Sequence, residues 1–158
     1  MPIPREQLRL TDEELAELLH GTRTMRVGTV SPDGWPHVVP LWFVWHAGAI
    51  WINNLRESRR TRDLEAGSKV ALCIDTGEEY FDLRGAVLYG TPEEVPPDDP
   101  DLATVRKAFG DKYFGGTEIP DKKSHQWLRM DPERIVSWDF RKIPAGRDQR
   151  AELSRQRS

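Results

Sequence analysis

The spacing of apolar residues predicts a helix first and strands afterwards. Thr11 and Glu14 make a capping-box pair ahead of Leu15, Leu18 and Leu19, which recur at helical period, and Gly21 supplies a stop. Beyond Gly21 the period shortens. Met25 to Val30 is β-prone, SPDG at 31–34 is a hairpin turn, and HVVPLWFVWH at 37–46 is a long apolar run that reads as one strand. Ala47 and Gly48 turn the chain into AIWIN at 49–53. A polar stretch compatible with helix follows, with Ser58 as its N-cap and Gly67 as its stop. KVALCID at 69–75 and YFDLRGAVLYG at 80–90 are two further strands, and RIVSWDF at 134–140 is the last. Between them PEEVPPDDPD is acidic and proline-rich, a solvated connection. Leu102, Val105 and Phe109 then have helical spacing, ending at Gly110.

About six strands and three or four helices result, with short links between the early strands. Such links favour antiparallel pairing in a meander or barrel, whereas a doubly wound parallel sheet needs helical crossovers that only the 56–66 helix could supply. The fold class is therefore mainly β (α+β). Residues 1–146 form a single domain, and 147–158 are a polar tail with little to bury.

The composition narrows the function. A chain of 158 residues fits one globular domain and excludes two catalytic ones. With 23 Lys and Arg against 26 Asp and Glu, it lacks the basic excess of a dedicated nucleic-acid binder. No apolar run approaches the roughly 20 residues that span a bilayer, and the N-terminal stretch has no apolar leader, so a cytoplasmic location away from membranes is expected. Cys73 stands alone and can form neither an internal disulfide nor a cysteine zinc site. His20, His37, His46 and His125 are widely spaced, so no metal is expected. GxSxG, Walker and GxGxxG patterns are absent. Six tryptophans are present, and Trp35, Trp42, Trp45 and Trp51 fall within seventeen positions.

The chemistry concentrates around the basic helix start. Arg59 and Arg60 follow Ser58 in the first turn, where the positive end of the helix dipole disfavours cations by roughly a few tenths of a kcal/mol each. An anion seated there, taking backbone N–H groups, the Ser58 hydroxyl and two guanidinium forks, would offset that cost. The alternative is a solvated face in which the arginines pair with Glu57, Asp63 or Glu65. Asn53 and Asn54, at the end of the preceding strand, add two amides beside the helix start, although turn chemistry alone also accounts for them. The run VVPLWFVW is apolar throughout, so both faces of that strand should be covered, by barrel interior on one side and by a ligand, helix or second subunit on the other. Pro40 belongs at a sheet edge or a bulge. Taken singly, Trp42, Phe43 and Trp45 read as plain core before they read as ligand contacts.

The order of elements, the strand PLWFVW, the strand end WINN and the segment ESRRTRDL together resemble the pyridoxamine 5'-phosphate oxidase-like superfamily of split β-barrel flavin and deazaflavin oxidoreductases. The likeness spans roughly residues 14 to 142. It implies an FMN-binding split β-barrel, an antiparallel six-stranded barrel with flanking helices. It implies a homodimer with cofactor at the subunit interface, and hydride transfer between the cofactor and a small substrate. In this family a strand-end pair leads into a Ser-Arg-Lys helix start that holds the FMN phosphate; Asn53, Asn54, Ser58, Arg59 and Arg60 stand at those places. SPDGWPHVVPLWF is similar to the first hairpin, whose second strand lines the ring, so Val39, Pro40, Leu41 and Trp42 fall beside the cofactor, as does Ile52 on the next strand. The resemblance names no catalytic residue here. The elements by which true pyridoxamine phosphate oxidases hold their substrate are not recognisable around SHQWLRMDPERIVSWDFRK, so vitamin B6 oxidation is not expected. The same helix start serves the deazaflavin coenzyme F420, the alternative cofactor. A second alternative is a non-catalytic flavin- or haem-binding protein.

Overall fold

The computed structural model describes residues 3–144, together with positions 152 and 155. The remainder of the polar tail expected at 147–158 lies outside the described residues. Helix α1 (Asp12–Gly21) begins on the Thr11–Glu14 capping box, with both reciprocal hydrogen bonds formed. Then come β1 (Thr24–Val30), β2 (Pro36–Trp42), β3 (Val44–His46), β4 (Ala49–Leu55), the short helix α2 (Arg59–Glu65) and β5 (Val70–Thr76). The chain continues with β6 (Arg84–Gly90), β7 (Glu93–Glu94), α3 (Leu102–Tyr113), β8 (His125–Met130) and β9 (Arg134–Asp139). All pairings are antiparallel, in a five-stranded sheet ordered β2-β1-β5-β6-β9 and a four-stranded sheet ordered β3-β4-β8-β7.

Nine strands therefore stand among the described residues where about six were expected, for three reasons. The run 37–46 is two strands, broken at Phe43 so that it serves both sheets. The Phe43 N–H donates to the Tyr113 hydroxyl (3.0 Å), whose own proton is shared between the carbonyls of Arg23 (2.7 Å) and Phe43 (2.8 Å). The proline-rich connection contributes β7, and HQWLRM forms β8 against β4. In addition α3 runs through Gly110 to Tyr113, and β6 begins at Arg84 after a single 3₁₀ turn at Tyr80–Asp82.

Alternation along β4 divides the interior into two cores. Ile50 and Ile52 join Leu19, Met25, Val27, Leu72, Ile74 and Leu88 in the first, drawn from both sheets and α1. Ala49 and Trp51 face the other way and join Val105, Phe109, Tyr113 and Trp127 beneath α3. The outward face of β2, for which the apolar run predicts cover by a ligand, a helix or a second subunit, is open in the single chain: Val38 and Trp42 are exposed, as is Trp35 on the hairpin (68%). Pro40 lies on an edge strand, where its missing N–H costs no ladder bond.

The last turn of α3 carries an ionisable pair that sets an alkaline signature. Lys112 Nζ lies 3.2 Å from the Leu19 carbonyl and 3.3 Å from that of Phe43, over the Phe43 ring; burial and then the Arg23 charge pull its pKa from 10.5 down to about 8. Burial pushes Tyr113 up to about 12. Between pH 8 and 10.5 the unfolded chain holds a proton on Lys112 that the folded chain has released, so stability rises with pH in that window. Above pH 10 the unfolded Tyr113 loses a proton that the folded form keeps, and stability falls again. The urea midpoint of the wild type is thus expected to rise relative to that of Lys112→Met between pH 7.5 and 9.5, and parallel curves for the two would contradict this assignment.

Candidate functional site

A cavity of about 880 Å³ opens between the end of β2, Asn53 of β4, α3 and the segment that leads into β8. Its volume lies within the range of small-molecule and cofactor sites. Trp42 supplies a flat wall, stacked on Tyr113 at 4.5 Å and 8° and flanked by Phe109 and Phe114. Pro40 and Leu41 continue that wall, and Ile119 and Pro120 add further apolar lining. Among these apolar groups stand the side chains of Asn53, Thr24 and His125. Asn53 and His125 share a face because Asn53 pairs with Trp127 and Leu55 with His125 in the β4–β8 ladder. Ser124 Oγ lies 3.0 Å from His125 Nδ1, which orients the ring.

A second group of polar residues gathers at the start of α2. Ser58 Oγ accepts the Thr61 N–H (3.1 Å) as an N-cap. Asn54, fully buried, accepts from Arg60 through Nε (2.9 Å) and Nη2, and its amide nitrogen donates to Thr61 Oγ1 (3.0 Å) and the Leu55 carbonyl (3.1 Å). Arg60 is only 6% exposed, burial lowers its pKa, and no carboxylate pairs with it among the described residues. A buried cation without a counter-charge is costly, and the first turn of α2 contains no acidic residue. Arg59 beside it is exposed, and its field reaches the exposed Asp33. Arg56 is already engaged, donating to the His125 carbonyl, to Gln126 and to Glu94. Arg56 thus ties the strand-to-α2 turn to His125, a residue of the cavity lining, while Asn54, Ser58, Arg59 and Arg60 do not themselves line the cavity.

Of the residues singled out from sequence, Pro40, Leu41, Trp42 and Asn53 line the cavity. Asn54, Ser58, Arg59 and Arg60 form the α2 group. Ile52 is buried in the first core and Val39 is half-buried on β2; neither lines the cavity. Asn53 and Asn54, adjacent in sequence, point to opposite faces of β4 and so belong to different groups. The far wall, from Phe109 to His125, was not foreseen as cavity lining; its one sequence signal is the helical spacing of Leu102, Val105 and Phe109. Burial and then the Asp75 charge raise the Cys73 thiol pKa, which disfavours the thiolate. No cluster of metal-ligating side chains exists among the described residues, and none of their helices is long and apolar enough to cross a membrane.

Residues 11–139 match the family model described as pyridoxamine 5'-phosphate oxidase. The chain belongs to this family. Its fold is the family's split barrel, shared with a conserved hypothetical protein of Mycobacterium tuberculosis, Rv2991, at 26% identity and a TM-score of 0.76, over 90% of this chain and 92% of that one. An F420 reductase shares 24% identity with a TM-score of 0.63, over 80% of this chain and 98% of its own. The haem storage protein HutZ from Vibrio cholerae shares 18% identity with a TM-score of 0.65, over 80% of this chain and 94% of its own. The last two likenesses concern the fold alone. The curated proteins contain no sequence match to the chain. The site thus combines a buried Arg60 with no carboxylate partner among the described residues and a cavity with a flat aromatic wall.

Proposed function

We propose that this protein binds FMN and acts as an oxidoreductase, transferring hydride between the bound flavin and a small substrate. The observation that carries the proposal is Arg60, a buried guanidinium with no carboxylate partner among the described residues, placed beside exposed Arg59 at the start of α2, one turn from the Arg56 that holds the cavity residue His125. A phosphate supplies the missing charge and accepts from both forks. Bound FMN supplies the hydride chemistry. Trp42, Phe109 and Phe114 offer it an apolar wall that excludes water, and Asn53 offers an amide to its polar edge. His125, with Nδ1 3.0 Å from Ser124 Oγ, adds an imidazole to the polar side of the cavity.

The same reading makes the protein a homodimer. Across the five-stranded sheet the outward rows run Pro40, Arg26, Cys73, Val87, Val136 and Val38, Gly28, Ala71, Tyr89, Arg134. These rows are largely apolar, and an exposed face of that kind suits a second copy. Pro40 belongs both to this face and to the cavity, so a partner seated there borders the cofactor.

F420 is the second reading. Arg59 and Arg62 are both exposed and unpaired among the described residues, and they suit a longer anionic tail. The absorbance spectrum of the purified protein, followed by titration with FMN and with F420, separates the cases. A flavin spectrum or sub-micromolar FMN binding by a dimer in sedimentation is expected; binding of F420 alone, or a haem Soret band, would replace FMN with that group.

A further inference from the structure

One wall of the cavity belongs to no helix or strand. After α3 ends, residues 114–122 pass along the cavity before β8, and Thr117, Glu118, Ile119, Pro120 and Lys122 line it. The wall rests on α3 at two points one turn apart. At Gly110 it lies directly on the helix backbone: the Gly116 N–H donates to the Gly110 carbonyl (3.1 Å), and a Cβ at position 110 would stand 2.6 Å from the Thr117 carbonyl oxygen. At Arg106 two acids are held, Glu118 with Oε1 3.1 Å from Nε and Asp121 with Oδ2 2.7 Å from Nη1. The Asp121 contact is a directed hydrogen bond, whereas the Glu118 contact is an ion pair without hydrogen-bond geometry. Ile119 adds a partly buried contact at the edge of the second core.

These anchors are weak compared with the ladders on either side. The Glu118 and Asp121 side chains are 58% and 73% exposed, and ion pairs with such acids contribute little and are screened by salt. The chain enters the wall through Gly115 (φ 61°) and Gly116 (φ 92°), left-handed positions that glycine adopts without steric cost. A segment held by few buried contacts and hinged on glycines opens locally at low free energy.

We propose that residues 115–122 are an opening wall of the cavity, that Arg106 is the positioning residue that latches it, and that ligand enters and leaves when it opens. That the ligand is FMN rests on the proposed function; the latch does not. Lys122 and Lys123 put tryptic bonds at the C-terminal end of the wall, and cleavage follows the population of the open form. In the full-length protein at low salt, Arg106→Gln is expected to be cut at these bonds about fivefold faster than the wild type. Asp121→Asn, which alters an exposed acid and spares the core, shifts the rate in the same direction, as does Gly110→Ala, whose methyl group displaces Thr117. Salt at about 0.5 M brings the wild type close to Arg106→Gln. Equal cleavage of the wild type and all three variants would overturn the latch. FMN is expected to leave Arg106→Gln faster than the wild type in stopped flow, and equal release rates would overturn the gating role. FMN that binds neither protein refutes the proposed function, and the cleavage contrast still decides the latch.

Discussion

Replacing Arg59 and Arg60 together by alanine is expected to weaken FMN binding by about 2–4 kcal/mol, roughly 30- to 1000-fold in Kd, as for the loss of charge-assisted hydrogen bonds to a phosphate. The single variants divide that effect. Arg59 is exposed and makes no hydrogen bond or ion pair among the described residues, so Arg59→Ala lowers affinity and leaves the melting temperature unchanged. Arg60→Ala lowers both, because the buried Asn54 oxygen loses both of its donors. Riboflavin, which has the ring without the phosphate, supplies the control: its affinity should hardly respond to the double change. Flavin fluorescence titration measures all of these. Wild-type FMN affinity in the double variant would remove the phosphate from the α2 start, and equal losses for FMN and riboflavin would mean that the arginines act through the fold.

That division was only half visible in the amino-acid sequence. The Ser58 cap and the α1 capping box were legible because each is complete within four residues. Strand alternation was legible wherever one face is buried against the core. The break at Phe43 was not, because its backbone groups leave the ladder for a hydroxyl seventy residues away on α3. The segment HQWLRM, with only three apolar residues, becomes a strand through its pairing with β4 rather than through its own propensity. The basic run at Arg56–Arg62 suggested one cationic patch, and the fold separates its members: Arg56 ties β4 to β8, Arg60 turns inside, and Arg59 and Arg62 remain outside. Which arginine goes inside depends on Asn54, and a local reading cannot show that because adjacent strand residues point opposite ways. The cavity's Trp42 and Asn53 lie in the apolar and strand-end patterns that drew notice first. Its other wall is built from residues with no periodic signature, held by contacts to Gly110 and Arg106.

Asn54→Leu is expected to destabilise the protein by about 3 kcal/mol, a fall of roughly 6–12 °C in melting temperature for a chain of this size. Leucine has nearly the shape of asparagine, so the packing on β4 survives; what is lost is the only hydrogen-bond acceptor that Arg60 has among the described residues, together with the amide donors to Thr61 and Leu55. A buried guanidinium is then left with no acceptor among the described residues, which costs more than the bonds themselves contributed. Two rescues separate that mechanism from simple damage. Asn54→Leu with Arg60→Met replaces both partners by apolar groups and should recover most of the loss, while abolishing tight FMN binding. Saturating FMN should stabilise Asn54→Leu more than it stabilises the wild type if the phosphate takes over the role of acceptor; since ligand stabilisation follows RT ln(1 + [L]/Kd), that requires a lower Kd in the variant. Denaturant midpoints with and without FMN measure both. An Asn54→Leu protein as stable as the wild type would show that Arg60 finds its counter-charge elsewhere, and the argument for an anion at α2 would lose its foundation.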